Sequence, residues 1–268
     1  MIVDAEQRWS ARRAFFVDPS RRFDPRGWEV ASIADDTTAK RFVVATHYSH
    51  SYPAARRRFG LYAPGGSLEG VAVFSVPART AALVPCPDLS TAVELGRLVL
   101  TPSAGFNAET WMLARCFAAL RAEGFTGIVS FSDPMPRDTV DGRVVFAGHV
   151  GQIYAASNAV YLGQRRANTV RLLPDGAVFS CRAASKIRAK ERGWQYALEQ
   201  LVAAGMDAPE MTTRAALARW LPRALDRVTR PRRHPGNHKY VFGLDRVTRR
   251  ALPASLPYPR LTLTRGEV

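Results

Sequence analysis

The chain has 268 residues, 47% of them hydrophobic, enough to bury the core of one large domain or of a domain with an appendage. No apolar run reaches membrane-spanning length, the first ten residues hold Asp4 and Glu6 in place of an apolar leader, and Cys86, Cys116 and Cys181 are too far apart for a C-x-x-C motif, which leaves a reduced cytoplasmic setting without structural zinc. The net charge of +15 is uneven: residues 1–163 carry 17 Lys+Arg against 15 Asp+Glu and residues 164–268 carry 21 against 8, so the second part expects a polyanion.

In chain order, the part up to Gly27 is Arg-rich, broken by Pro19 and Pro25, and reads as an arm or short helix followed by a loop. "RFVVATHYSH" (41–50) ends a helix or strand in a polar turn. Two apolar runs, 59–64 and 68–77, flank Gly65-Gly66 and predict a hairpin. "TAVELGRLVLTP" (91–102) is a strand stopped by Pro102. Residues 107–124 predict the clearest helix, with Asn107 as cap and Gly124 as stop. Residues 126–134 form a short apolar strand ending at Asp133-Pro134. A helix that joins two strands suits parallel pairing by a crossover, and the loop "TPSAGF" (101–106) then lies at a helix N-terminus, a place for phosphate.

Beyond residue 164 the texture changes. Residues 169–183 predict a hairpin around Asp175-Gly176, 185–205 one amphipathic helix capped by Ser185, and 212–228 a shorter helical unit around Pro222. A basic loop from 229 then runs into the strand "KYVFGL" (239–244).

Several residues carry possible chemistry. Asp133 stands at a strand's carboxyl end, where α/β sheets place ligands, and can act as a base or orient one. His47, Tyr48, Ser49, His50 and Tyr52 make a polar aromatic cluster; H-x-x-H fixes no third ligand, so no metal is expected and His47 is read as facing substrate. Arg97 interrupts a buried strand and needs Glu94 or Asp133 as partner, or serves a phosphate-bearing donor. The stretch 146–163 holds His149, Gln152, Tyr154, Ser157, Asn158 and Tyr161 and no charged residue, a composition that suits a cleft wall reading a flat polar ligand.

The pattern "ELGRLVL…FNAETWML…IVSFSDP…GHVGQIYAASNAVYLG", with "HYSH" upstream and "KYVFGL" downstream, resembles the phage Mom family, which modifies adenine in DNA. The resemblance spans about residues 42–163 and 236–244. It implies an α/β protein with a mixed sheet and a GNAT-like acyltransferase fold: core over 1–163, then a basic helical insertion plus closing strand over 164–268. "FSD" stands where Tyr-Ala-Asp-like residues are commoner, and loop 101–106 lacks the Gly-rich GNAT signature, a departure that bears on acetyl-CoA use.

The implied activity is carbamoylmethyl-type modification of the adenine N6 amine, which protects phage DNA from restriction in the host cytoplasm, without a membrane. Asp133, His47, Tyr154 and His149 are the implied catalytic set; Arg97, Leu98, Val99, Phe106, Asn107 and Thr110 would hold an acyl-CoA-type donor. A modified base must leave the stack, and Asn158, Gln152, Ser157 and Tyr161 would receive it. Double-stranded DNA would be held by Arg182, Lys186, Arg188, Lys190, Arg192, Arg230, Arg232, Arg233 and Lys239. A GNAT acting on another substrate, or a non-enzymatic DNA-binding protein, are the competing readings. An N6-methyltransferase is disfavoured, because "DPMPRD" replaces the second Pro and the aromatic of its motif.

Overall fold

The computed structural model describes residues 6–10 and 13–260. The first elements are strands β1 (Glu6–Ser10), β2 (Arg13–Val17) and β3 (Glu29–Ser32), helix α1 (Asp36–Thr46), and strands β4 (Ala55–Tyr62), β5 (Leu68–Ser75) and β6 (Ala92–Leu100). Helix α2 (Ala108–Ala122), β7 (Gly127–Ser132), β8 (Arg137–Asp138), β9 (Val144–Phe146), α3 (Gln152–Ala156) and β10 (Val160–Gln164) follow. The remainder is β11 (Asn168–Leu172), β12 (Val178–Phe179), α4 (Cys181–Ala189), α5 (Trp194–Ala203), α6 (Arg214–Val228), β13 (Arg230–His234), β14 (His238–Gly243) and α7 (Arg246–Ala251).

Contacts divide the chain into two units. The first, comprising 1–134, 148–165 and 237–268, is built on a seven-stranded mixed sheet of order β10-β14-β7-β6-β5-β4-β3. Only β6 and β7 are parallel among its neighbours, as the α2 crossover requires. The succession of hairpin, strand, loop, helix and parallel strand expected of a GNAT-like core is present. The hairpin turns on Gly65 and Gly66, both with positive φ. One face of the sheet packs Leu61, Phe74, Val93, Leu95 and Ile128 against Met112, Leu113, Cys116 and Leu120 of α2. The other packs Val71, Val73 and Val99 against Ala39 and Val43, one turn apart on α1.

The parallel register of β6 and β7 ends at Leu95 and Ser130. Beyond it β7 pairs only with β14, and β6 only with β5, so the sheet opens. A bulge at Gly96 marks the point: Arg97 opposes Val73 while Leu95 opposes Phe74. A Cβ on Gly96 would come within 2.6 Å of Ser75 Oγ, so the bulge needs glycine.

The second unit, 135–147 and 166–236, has a three-stranded sheet of order β12-β11-β13, the pair β8-β9, and helices α4, α5 and α6 around Phe179, Ile187, Leu201, Leu217, Trp220 and Leu221.

Four expected elements differ, one being the basic loop from 229, which pairs along β11 as strand β13. The N-terminal part pairs as the hairpin β1-β2, not as an arm or helix. The single helix 185–205 is two, because Lys190 and Gly193 both adopt the left-handed region and break it; Ser180, not Ser185, caps the first by accepting from Ala183 N–H. Asn107 occupies the N-cap position of α2, but at φ 74° its side chain makes no capping bond.

Candidate functional site at the opening of the sheet

Tyr154 comes from the five-residue helix α3, entered through Gly151 at φ 77°. A Cβ at Gly151 would lie 2.8 Å from the rings of both Tyr154 and Tyr240, so that approach also requires glycine. The Tyr154 ring packs on Tyr240 (5.2 Å) and edge-on to Phe242 (6.3 Å), and its hydroxyl bonds Ser130, whose Oγ donates to the Leu95 carbonyl at 3.1 Å. Burial raises the Tyr154 phenol above its ordinary range; Ser130 and Arg97 oppose the shift and Glu94 adds to it, so the phenol stays protonated.

Arg97 leaves β6 just after the bulge. Its Nε donates to the Ser51 carbonyl (2.9 Å) and Nη2 to Ser51 Oγ (2.6 Å). Burial lowers its guanidinium, while Tyr48, Glu94 and Tyr154 favour the charge. His47 is buried, and its Nδ1 accepts from the Ser49 N–H at 3.1 Å, leaving Nε2 to carry the proton. Tyr48 leans on His47 (4.2 Å) and meets His149 edge-on (6.1 Å). His149 N–H donates to the Asp133 carbonyl at 2.8 Å, so the turn after β7 and the segment before α3 are tied together. Asp133, His149, Tyr48 with His47, Arg97 and Tyr154 therefore follow one another as neighbours near the end of the β6–β7 pairing.

Other expected residues are placed differently. Tyr161 offers no stacking face: it is buried between Tyr240 (5.1 Å) and Tyr258 (6.4 Å), with its hydroxyl 2.6 Å from His238 Nδ1. Gln152 and Ser157 are half-buried on α3 and its cap, with the Ser157 hydroxyl oxygen buried; Asn158 is exposed in a left-handed turn. Leu98 packs on the α2 face and Val99 in the α1 core, so only their backbone edge is offered to a ligand. Asn107 and Thr110 line an open hollow of about 440 Å³ with Phe23, Trp111 and Arg115, whose guanidinium sits 3.4 Å from the Trp111 ring centroid.

The loop before α2 departs most from its expected role. The Phe106 N–H is taken by the Arg21 carbonyl (2.7 Å) and the Ala108 N–H by the Gly105 carbonyl (3.3 Å). Arg8, unseen in the sequence reading, is buried there: it bonds the carbonyls of Thr101, Ala104 and Gly105 and pairs with Glu109 (2.5 Å). The amides expected for a pyrophosphate are thus partly spent.

In the second unit Arg188, Arg192, Arg232 and Arg233 face solvent, Lys186 is half-buried, and Lys190 sits 5.8 Å from the Trp194 ring. Arg182 pairs with Glu191 (2.5 Å), and Arg230 holds the Asp138 carboxylate (2.6 Å) and backbone, so neither is a free phosphate contact. In the first unit Lys239 donates to the Val84 carbonyl and is half-buried. The sequence reading passed over Arg219, Arg223 and Arg227, which recur every fourth residue on the solvent side of α6.

The model of the Mom protein family matches residues 27–260. No curated protein is matched. Among solved structures, a tandem GNAT protein from the clavulanic acid biosynthesis pathway is similar at 10% identity and TM-score 0.42, over 81% of this chain and 99% of that one. The spermidine N-acetyltransferase of Vibrio cholerae is similar at 10% identity and TM-score 0.32, over 52% of this chain and 82% of that one.

Proposed function

The chain belongs to the Mom protein family, and from that premise we propose that it is a phage-type transferase that modifies the exocyclic N6 amine of adenine in double-stranded DNA, a carbamoylmethyl-type change that hides the DNA from host restriction. The observation that carries this reading is the gathering of Asp133, His149, Tyr154 and Arg97 at the opening between β6 and β7. A base treated there must leave the duplex stack, and a neutral, hydrogen-bonding wall suits an uncharged purine. Asp133 takes or directs the proton that the amine gives up as its new bond to carbon forms. Tyr154, kept protonated by burial, donates to the leaving atom or the developing negative charge. Arg97 holds negative charge beside it.

A donor of the acyl-CoA type would deliver an activated carbon to the amine; for a carbamoylmethyl product that carbon is the methylene, and the leaving group would depart from it. The β6 edge from Gly96 to Leu100, unpaired on the β7 side, fits an extended amide-bearing arm. The loop before α2, laced by Arg8, fits a pyrophosphate less well, which favours a donor held mainly along the strand edge. The basic segment 166–236 supports duplex DNA as partner through its phosphates.

Mass spectrometry of nucleosides from plasmid DNA co-expressed with the protein tests the reading. A modified deoxyadenosine is expected with the wild-type chain and is lost with Asp133→Asn, which keeps the fold. Unmodified DNA from well-expressed wild-type protein overturns the proposal, and a wild-type yield from Asp133→Asn overturns the site.

A further inference from the structure

Glu94 is close enough to Arg97 to feel its charge, yet its carboxylate has no hydrogen bond and no ion pair within contact distance among the described residues. It stands at the penultimate parallel pair of β6 with β7, opposite Val129. That register places it on the sheet face of Val129, and β14 adds Lys239, which pairs with Phe131. The Gly96 bulge turns Arg97 to the same face, because Leu95 and Leu98 both enter the α2-side core. Arg165, just after β10, lies 5.6 Å from the Phe131 ring. The result is one half-buried carboxylate on a floor with an aromatic ring and three cations.

A buried carboxylate without donors is costly, and burial does push the Glu94 carboxyl upward against the pull of Arg97 and Arg165. Arg97 and Arg165 offset part of that cost through space and give no hydrogen bond, so the half-buried carboxylate stands open to a ligand donor. An exocyclic amine has two N–H bonds. One is surrendered when the nitrogen is modified, and the other needs an acceptor throughout.

We propose that Glu94 is that acceptor: it binds the amino group of an extruded purine, with Phe131 beneath the ring and Arg165 turned to a flanking phosphate. The subsite rests on the DNA-base reading above for the identity of its ligand. It adds a specificity residue, since a purine without the amine would leave the carboxylate unpaired.

Binding without turnover tests it. The probes are two short duplexes, each with the central purine opposite an abasic site, one carrying deoxyadenosine and the other deoxynebularine, which lacks only the amine. The wild-type protein is expected to prefer the adenine duplex about tenfold, the usual effect of a hydrogen bond to a charged group. Glu94→Leu should bind both alike.

Glu94→Gln keeps an acceptor but no charge, so it should retain part of the preference. The wild-type preference should fade as pH falls through the raised carboxyl range, whereas that of Glu94→Gln should not. Arg97, Arg165, Lys239 and Tyr154 are the charged and titratable groups that face it, and they and the nearby His47 and His149 are common to both proteins, so the difference between profiles isolates Glu94.

A wild-type chain without preference, or Glu94→Leu with the wild-type preference, overturns the subsite. A Glu94-dependent preference in a protein that leaves plasmid DNA unmodified keeps the subsite and removes the transfer reaction. Modified DNA from a protein whose preference ignores Glu94 does the reverse.

Discussion

Arg8 and Glu109 show how a single pair can set the shape of a loop. Both side chains are buried, and the guanidinium also satisfies three loop carbonyls. Arg8→Met would leave the Glu109 carboxylate buried alone, at a cost of about 3–5 kcal/mol. A chemical denaturation series should show that loss, and Arg8→Met/Glu109→Met should recover much of it. Glu94 obeys the opposite logic. Its raised carboxyl means that the folded chain binds the proton more tightly than the unfolded one, so its ionisation removes stability as pH rises from the ordinary carboxylate range through the raised one. Glu94→Leu should therefore melt higher than wild type at pH 8, with the gain vanishing at pH 4. The position of Asp133 just after a strand was legible because a strand end before Pro is a local pattern. Arg8 was not, because its partner lies 101 residues away.

Elements with a strong local period were read well. The Gly65-Gly66 hairpin, the strand before Pro102, helix α2 and the closing strand β14 all fall within a few residues of their expected bounds. The misreadings came from competing local rules. Residues 185–205 keep an apolar period across the break, and only Gly193 signals it. The uncharged stretch 146–163 is neutral partly because much of it packs against Tyr240 and Phe242, so Tyr161 looked like a ligand contact when it is core. The bulge in β6 had a signal, a glycine inside a strand, whose meaning depends on the neighbouring strand. Gly96→Ala should lower the melting temperature and activity together, since its Cβ meets Ser75 Oγ at 2.6 Å. Adding Ser75→Ala leaves only the Ser75 Cβ at 3.5 Å and Pro53 Cγ at 3.2 Å, so the double variant should regain stability. Additive losses would show that the clash is elsewhere.

At the scale of the whole chain, charge was legible and connectivity was not. The joining of 135–147 to 166–236 has no sequence mark; it rests on contacts such as the Val140 N–H to the Pro174 carbonyl at 2.8 Å and the Arg230–Asp138 pair at 2.6 Å. The segment 166–236 carries 14 Lys+Arg against 6 Asp+Glu, but folding has redistributed them. Arg171 pairs with Asp226, Arg182 with Glu191 and Arg230 with Asp138. On α6, Arg219, Arg223 and Arg227 are exposed, and Arg227 meets a carboxylate only at 3.9 Å, Asp207. Residues four apart share a helix face at steps of about 6 Å, so the three form one stripe. If the unit holds duplex DNA, each arginine that neutralises a phosphate contributes a log–log salt slope near −0.9. Replacing all three by Ala should flatten the slope by about 2–3. Alanine favours helix, so α6 should persist. Replacing Lys186, Arg188 and Lys190 should flatten it by only about 1, because Lys186 is half-buried and Lys190 sits at Trp194. The reverse order would put α4 and the turn after it on the phosphates. Two unchanged slopes would remove both surfaces from the interface and leave Arg232 and Arg233 of the edge strand β13 as the exposed cations to test next.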